Sequence, residues 1–443
     1  MVNCVGSASQ TYLCRSFSET TFLKQDNVLS DYQIHEFPNG LRMVHKEVPS
    51  TKIAHCGFIL DVGSRDELSH QQGIAHFWEH MAFKGTEKRN SFYIINRLEI
   101  LGGELNAYTT KEKIVFHASL LATHFTKAVE LLADITFFST FPPKEIEKEK
   151  GVILEEMSMY LDAPDDAIQD EFDALLYPNH PLGTNILGTQ ESVRSFKQAD
   201  FQTFWAGNVD SDRLIFSSVG PFDFKTAIKK AGPYLSNLPR LQSNRVRKTV
   251  ETAEPSQQQF YKSITQSHCM IGSRAYPLLH PNRLGFFLLN NLLGGPALNS
   301  RLNLSLREKH GLVYSIETSY SPYLDTGAFS IYFGTEPKNL EKAEALVMKE
   351  LDKLKNETLS SGQLHNAKEQ LKGQLAMAEE SNMSLMLMLG KSILDMGKVE
   401  SIASIFNEID ALTMAHLRDI ANESWGKDDW TRLCYLPENG KKM

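Results

Sequence analysis

A polar segment divides the chain into two halves in which the same order of predicted elements recurs. The segment LPRLQSNRVRKTVETAEPS runs from residue 238 to 256 and is charged and bracketed by prolines, a composition typical of a linker. On each side of it, apolar strands lead into helices, then into a pair of alternating strands, and then into further helices. Because 443 residues are also too many for one ordinary core, we predict a duplicated domain.

The predicted fold class is α+β, with mostly antiparallel sheets packed by helices. The stretch QIHEF, the turn PNG and LRMVHKEV predict a hairpin, and ELNAYTTKEKIVFHASLL predicts two strands around a polar turn. Helical spacing is predicted over 68–83, and long helices are predicted over 338–380 and towards the C-terminus. The predicted divisions are a flexible tail at 1–30, a first domain at 31–237, a linker at 238–255 and a homologous second domain at 256–443.

Charge and cysteine usage exclude several classes of protein. The formal net charge of −8 argues against a dedicated nucleic-acid binder, which would carry a basic excess. The cysteines are few, odd in number and without a CxxC pair, which argues against a thiolate zinc site or a disulfide framework. We expect a reducing compartment, in which each cysteine is a small buried apolar residue or carries an unreactive thiol. The five cysteines are Cys4, Cys14, Cys56, Cys269 and Cys434.

No feature of the sequence predicts a membrane span. No apolar run reaches the roughly 18 to 20 residues that a spanning helix needs. Residues 1–27 lack the apolar core of a secretory signal, although their few acids and several Ser and Thr residues leave an organellar transit peptide as an alternative to an ordinary tail.

Two histidines and a glutamate lie close together in the apolar run GIAHFWEHMAFKGT, residues 73 to 86. Positions i, i+3 and i+4 share one face of a helix, so His76 and His80 can direct their imidazoles to one point beside Glu79. Imidazole is a good zinc ligand, and a neighbouring carboxylate can take a proton from a zinc-bound water. The alternative is a structural helix in which these groups only form hydrogen bonds. Two histidines also leave a catalytic zinc one protein ligand short.

The stretch EKEKGVILEEMSMYLDAPDD offers candidates for the third ligand. Glu149 and Glu156 are two helical turns apart and share a face, which Ile153 and Tyr160 extend with apolar groups. Glu155 is rotated by about 100° and is expected to face solvent. Since inward-facing carboxylates are costly unless they bind a cation, we predict Glu156 as the third ligand and Glu149 as a carboxylate that steadies a ligand or the base.

These motifs closely resemble the inverzincin metallopeptidases, the pitrilysin/insulinase family. HFWEH followed by Glu149 and Glu156 carries the resemblance, and GLRMVHKEVPSTKIAHCGFILDVGSRDE, HMAFKGT, GGELNAYTTKE, HPLGTNILGT and SRLNLSLREKHGLVYSI extend it over most of residues 33 to 335. Length and pattern look most like the short subfamily with one catalytic and one inactive domain. Trp78 stands where the family often has an aliphatic residue, a departure expected to affect packing rather than chemistry.

The resemblance implies roles for further residues. It implies one Zn²⁺ per chain on His76, His80 and Glu156, with Glu79 as general base. It implies an open strand edge that pairs with the substrate backbone, with Asn106 and Ala107 among the contacting residues. Phe83 matches a residue that lines the pocket beside the scissile bond, and plain core packing is its alternative.

A second group of implied site residues lies in the other half of the chain. Arg307 and Tyr314 match the family's pair that reaches the substrate carbonyl, where Tyr314 would stabilise the tetrahedral intermediate. The second half has no HxxEH motif, and NRLGFFLLNN is its equivalent helix, so we expect it to be catalytically silent.

Together these expectations describe a zinc endopeptidase for unfolded peptides. The resemblance implies two α+β domains that form half of a clamshell, closed into a chamber by a second chain in a homodimer or in a heterodimer with a paralogue. We expect a bacterial-type, cytoplasmic enzyme. The alternatives are the β subunit of a mitochondrial presequence processing peptidase in the matrix, and a non-catalytic scaffold subunit.

Overall fold

The computed structural model describes residues 32–251, 253–426 and 430–438, so the tail predicted at 1–30 lies outside the described residues. The strands are β1 Gln33–Glu36, β2 Arg42–Glu47, β3 Ile53–Leu60, β4 Glu104–Thr109, β5 Ile114–Leu121, β6 Leu214–Gly220, β7 Gln257–Lys262, β8 Ser267–Ala275, β9 Val313–Pro322, β10 Gly327–Thr335 and β11 Thr431–Pro437.

The helices of the described residues are α1 Ile74–Met81, α2 Ser91–Glu99, α3 Phe125–Phe137, α4 Pro143–Asp162, α5 Pro164–Leu176, α6 Gln190–Ser195, α7 Gln198–Asn208, α8 Phe224–Leu235, α9 Arg283–Gly294, α10 Leu340–Asn356, α11 Ser361–Glu379, α12 Asn382–Met396, α13 Ile402–Ala411 and α14 Met414–Ser424. Short 3-10 turns occupy Ser64–Asp66, Ser69–Gln71, Ala122–His124, Pro181–Gly183, Ser211–Arg213 and Pro337–Asn339, and Asn303–Lys309 is π-helical.

The two halves build sheets with the same strand topology. The first sheet has the order β1-β2-β6-β3-β5-β4, and the second has the order β7-β11-β8-β10-β9. Apart from the extra β1, each strand of the first sheet has a counterpart in the second. In the first sheet, β6 lies between β2 and β3 and pairs in parallel with β2. In the second sheet, β11 lies between β7 and β8 and pairs in parallel with β7. All other strand pairings in the two sheets are antiparallel. The predicted α+β fold with two homologous domains is confirmed.

Each sheet is covered on one face by helices of its own half and on the other by a helix of the opposite half. Apolar side chains of α12 pack on the first sheet, where Leu389 and Ile393 join Val44, Ile59 and Val115 in one cluster. A Cβ atom at Gly390 would come within 2.5 Å of Ile59 Cδ1, so this helix approaches the sheet closely because it has glycine there.

The second sheet shows the reciprocal arrangement. Ile168, Phe172 and Leu176 of α5, a helix of the first half, form a cluster with Met270 and Leu433 of the second sheet. Strands that bury both faces must be covered by helices on both sides. Because α5 of the first half packs on the second sheet and α12 of the second half packs on the first, each half completes the core of the other.

A buried network of charged groups also joins the two halves. Arg65 forms ion pairs with Glu112 at 2.6 Å and with Asp325 at 2.6 Å, and Asp325 belongs to the turn between β9 and β10. The predicted linker contributes Arg245 and Arg247, whose ion pairs fix it to Asp61 and Asp66 beside the first sheet. The side chains of this network are largely shielded from water, except that of Asp325, which is 37% exposed.

Several predicted elements differ from those observed. The helix predicted over 68–83 begins only at Ile74, because Gly73 has a left-handed φ of 90° and the residues before it form 3-10 turns. The strand predicted from QFYKSITQSHCMIGSRAY is two strands, β7 and β8. The helical prediction for the C-terminus missed β11, whose short apolar run resembles a buried helix as much as a strand.

The described residues contain no helix that is both long and apolar enough to cross a membrane.

We predict that Arg65→Met lowers the free energy of unfolding by about 3–5 kcal/mol, because it would leave the buried Glu112 carboxyl group without its principal ion-pair partner. Urea denaturation measures this change. Arg240→Met is the matched control, since the Arg240–Asp212 pair is exposed and should contribute less than about 1 kcal/mol. Equal losses in the two variants would contradict a special role for the buried network.

Candidate metal centre

Helix α1 carries most of the candidate site, and a buried carboxylate anchors its first turn. Glu67 accepts hydrogen bonds from the backbone N–H groups of Gly73 and Ala75, each at 2.9 Å. Burial raises the pKa of Glu67 to about 8, against the opposing effect of these two bonds. Gly73 is required because its φ is positive and because a Cβ there would lie 2.4 Å from the Leu187 carbonyl oxygen. The start of α1 is thus held from two sides.

The structure brings His76 and His80 of α1 together with Glu156 of α4. The two Nε2 atoms are 3.2 Å apart, and Glu156 Oε2 lies 3.7 Å from His76 Nε2 and 3.6 Å from His80 Nε2. Zinc bonds of about 2.0–2.2 Å in a tetrahedron place neighbouring donors roughly 3.4 Å apart. The three donor atoms therefore fit one zinc ion, with room for a fourth ligand.

The protonation of the ligands suits a cation. Burial, with a smaller contribution from His80, lowers the pKa of His76 to about 3, so its imidazole is neutral at physiological pH and can donate a lone pair. His80 Nδ1 hydrogen-bonds to Glu149 Oε1 at 3.0 Å, which orients Nε2 towards the other donors. Glu149 Oε2 pairs with Lys84 Nζ at 2.6 Å.

Glu149 is a buried carboxylate whose charge is compensated. Burial would raise its pKa, but the hydrogen bonds from His80 and Lys84 outweigh that effect and lower the pKa below its usual value. Glu149 therefore remains ionised and can strengthen His80 as an electron-pair donor.

The inward-facing side of α4 contains the buried residues Glu149 and Ile153, while Glu155 is exposed as predicted. Tyr160 was wrongly predicted to face inward, because the whole last turn of α4 is exposed to solvent.

Glu79 lies on the same turn as the two histidines, with a hydroxyl group holding one of its oxygens. Thr109 Oγ1 donates a hydrogen bond of 2.5 Å to Glu79 Oε2. Burial raises the pKa of Glu79, the Thr109 hydrogen bond and His80 lower it, and Glu156 raises it further, with a net increase. A carboxylate with a raised pKa is a better proton acceptor near neutral pH.

Thr109 ends strand β4, which forms an edge of the first sheet. Asn106 and Ala107 lie on this strand, opposite His117 and Phe116 of β5. Asn106 is exposed, while Ala107 is half-buried against the core. The outer side of β4 has no neighbouring strand within the described sheet, so its backbone can accept an additional strand.

Phe83 and Trp78 pack into the first core. Phe83 is partly buried, and its ring meets Phe116 edge-on at 6.4 Å between centroids. Trp78 is fully buried and packs against Phe116 and Phe204. These contacts account for both side chains as core residues, and the role of Phe83 in a substrate pocket stays a prediction.

Arg307 and Tyr314 lie in the second half and contact each other. The Arg307 guanidinium stands 5.6 Å from the centre of the Tyr314 ring, which is compatible with a cation–π contact, and Tyr314 is 83% exposed on edge strand β9. Arg307 is part of the π-helical segment, a form often found at functional sites. Within the described residues, neither forms a hydrogen bond or ion pair with His76, His80 or Glu156.

The sequence reasoning missed Glu67, Lys84 and Thr109. Lys84 follows His80 by four residues, and Thr109 follows Ala107 by two on the same strand face. Both spacings could therefore have predicted that these side chains lie next to the candidate site. No spacing in the sequence pointed to Glu67, because its contacts depend on a turn that the helical pattern did not predict.

The chain matches two family models. Residues 42–190 match the model described as insulinase (peptidase family M16), and residues 195–371 match the peptidase M16 inactive domain. The uncharacterized zinc protease YmxG of Bacillus subtilis is 33% identical over 400 residues, covering 88% of this chain and 95% of the relative. An uncharacterized zinc protease of Streptomyces coelicolor is 28% identical over 435 residues, covering 95% of each chain.

Solved structures share the fold. A peptidase M16 inactive domain from Pseudomonas fluorescens superposes with a TM-score of 0.85 at 20% identity, covering 92% of this chain and 98% of that chain. A protease from Helicobacter pylori gives a TM-score of 0.84 at 20% identity, covering 92% and 99%. With a relative that is 33% identical over nearly its whole length, and with both domain models matched, the chain belongs to the M16 (insulinase) family of peptidases.

Proposed function

We propose that this chain is a zinc-dependent endopeptidase that cleaves unfolded peptides. The observation that carries the proposal is the convergence of the donor atoms of His76, His80 and Glu156, at spacings that suit zinc, beside the carboxylate of Glu79. The curated relatives that are called zinc proteases support the same metal.

The chemistry divides between the metal and the protein. Zinc bound by the three donors would act as a Lewis acid that lowers the pKa of a water molecule and polarises a peptide carbonyl. Thr109 restrains Glu79 through Oε2, which leaves Oε1 to accept the proton of the attacking water. The same carboxyl group then returns the proton to the leaving amine. Lys84 and Glu149 keep the His80 ring oriented throughout.

Edge strand β4 is the proposed binding element for the substrate backbone. An extended peptide that adds to β4 would hydrogen-bond to the main chain around Asn106 and Ala107, and such pairing recognises extended backbone more than side chains. Thr109 also lines a cavity of about 550 Å³ between the β4–β5 turn and strands β9 and β10. Its walls run from Thr109, the hydrogen-bond partner of the proposed base, to β9 and β10 of the second half, and we propose that it receives substrate side chains.

We propose that Tyr314 and Arg307 act on the substrate carbonyl. Their exposure leaves the phenol and the guanidinium available to a bound peptide, and both donate hydrogen bonds to developing oxyanion charge. Several expectations from the sequence stay predictions: catalysis inside a closed chamber, homodimer formation, a single zinc per chain, the division into domains at 238–255 and a cytoplasmic location.

We expect Glu79→Gln to lower kcat for a flexible peptide by about 10²- to 10⁴-fold, because the amide cannot accept the proton. A fluorogenic peptide assay measures the rate, and elemental analysis verifies that zinc is retained. Glu155→Gln is the control, an exposed glutamate on α4 whose replacement should leave the rate unchanged. A wild-type chain without zinc or cleavage activity would instead support the scaffold alternative.

Glu149→Gln should weaken zinc binding by about 10- to 100-fold, since His80 would lose its anionic partner. Competition with a chromophoric chelator gives the affinity. Glu147→Gln on the same helix is the control, because its pair with Lys150 is at the surface. Unchanged zinc affinity in Glu149→Gln would show that the carboxylate does not support the ligand.

Tyr314→Phe is expected to lower kcat by about 10²- to 10³-fold with little change in KM, because its hydroxyl is proposed to act only in the transition state. Steady-state kinetics separate the two constants. Tyr93→Phe removes an exposed hydroxyl from α2 and should have no effect. A change confined to KM would assign Tyr314 to ground-state binding.

A further inference from the structure

A second cluster of metal-ligating groups lies in the other half of the chain. Cys269 on β8 and Cys434 on β11 are directly opposed in the antiparallel ladder, so their side chains project from the same face of the sheet. Both cysteines are fully buried in the core of the second half. Glu344 of α10 approaches them from the helical layer.

The donor atoms of this cluster converge on a small volume. Glu344 Oε1 lies 3.2 Å from Cys269 Sγ and 3.5 Å from Cys434 Sγ, and all three atoms are within 4.8 Å of one another. Tetrahedral zinc with Zn–S bonds of about 2.3 Å and a Zn–O bond of about 2.1 Å places sulfur and oxygen roughly 3.6 Å apart. The observed sulfur–oxygen separations are close to that value.

Arg432 provides the charge balance that a buried metal site needs. Its Nε and Nη2 atoms lie 2.7 Å and 2.6 Å from Glu344 Oε1. Two thiolates and one carboxylate carry three negative charges, so a divalent ion leaves one negative charge, and the guanidinium neutralises it. Buried charge is tolerated when it is compensated in this way.

We propose that Cys269, Cys434 and Glu344 form a second metal site that binds a thiophilic divalent cation such as Zn²⁺. Binding deprotonates both thiols, releases two protons to solvent and leaves the fourth position of the ion for water. The side chain of Glu344 is 20% exposed, which gives the ion a route from solvent. The site is independent of the proposed peptidase and would tie α10 to the centre of the second sheet.

The proposal reverses an expectation from the sequence. The absence of a CxxC pair argues against a thiolate site, but strand pairing brings together two cysteines that are far apart in the chain. Burial, reinforced by Cys434 and Glu344, holds the pKa of the Cys269 thiol well above its usual value. The Cys269 thiol, which donates a hydrogen bond to Glu344 Oε1, is therefore protonated until a metal displaces its proton.

Cadmium is the probe that separates this site from the one on α1. A sulfur-to-cadmium charge-transfer band in the ultraviolet arises only from thiolate ligands, and His76, His80 and Glu156 contain no sulfur. Titration uses the reduced full-length chain with Cys4→Ser and Cys14→Ser as background. We expect the band to saturate when both metal sites are filled, with the amplitude of one cadmium bound by two thiolates per chain, and to disappear in Cys269→Ser and in Cys434→Ser. Cys56→Ser, which changes a buried cysteine of the first sheet, should retain the band.

Glu344→Gln keeps both thiols and tests the third ligand. It should retain the band and weaken cadmium binding at least about tenfold, since loss of a direct ligand costs no less than loss of a supporting carboxylate. Circular dichroism verifies that each variant is folded. The proposal is overturned if the folded parent chain shows no band, if the band persists in both cysteine variants, or if Glu344→Gln binds cadmium as tightly as the parent. Isolation of the parent with a Cys269–Cys434 disulfide and no cadmium binding after reduction would overturn it equally.

Discussion

The structure depends on the reciprocal packing of two helices on two sheets. Strands buried on both faces need a helical layer on each side, and neither half supplies both layers for its own sheet. Helix α12 covers the outer face of the first sheet, and α5 covers that of the second. The buried pairs of Arg65 with Glu112 and Asp325 reinforce the same junction. The described residues from Tyr32 onwards consequently form one compact unit although they contain two sheets.

This junction also determines where the candidate chemistry lies. Helix α5, which α4 precedes directly, is fixed against the second sheet, while α4 carries Glu149 and Glu156 to α1. The cavity beside Thr109 is lined by residues of both halves, including Asp173 of α5 and Lys391 of α12. A displacement of α5 would therefore be transmitted through α4 to the candidate metal site, and a displacement of α5 or α12 would change the shape of the cavity.

The two halves share a topology and differ in chemistry. Helix α1 follows β3 in the first half, and α9 follows β8 at the equivalent place in the second. Helix α9 is apolar and carries no histidine or acidic residue, so it packs as core where α1 presents His76, Glu79 and His80. The cysteines of the second sheet occupy neighbouring central strands instead. The candidate ligands therefore lie in the helical layer of the first half and in the sheet of the second half. The two arrangements differ because one turn of a helix and a pair of neighbouring strands bring side chains together at different distances along the chain.

The sequence by itself determined the duplicated α+β fold, the helical registers of α1 and α4, and the choice of Glu149 and Glu156 over Glu155. The helical registers and the choice of glutamates follow from a period of 3.6 residues, and the strands follow from a period of two, both of which are local properties of the sequence. The duplication follows from the same order of elements on each side of residues 238–256. Only the tertiary structure decided that α1 begins at Ile74, that β6 and β11 insert between earlier strands, that Lys84 and Thr109 hold the candidate site, and that Cys269 faces Cys434. Such features arise from contacts between distant segments, whose geometry depends on packing and on the compensation of buried charge.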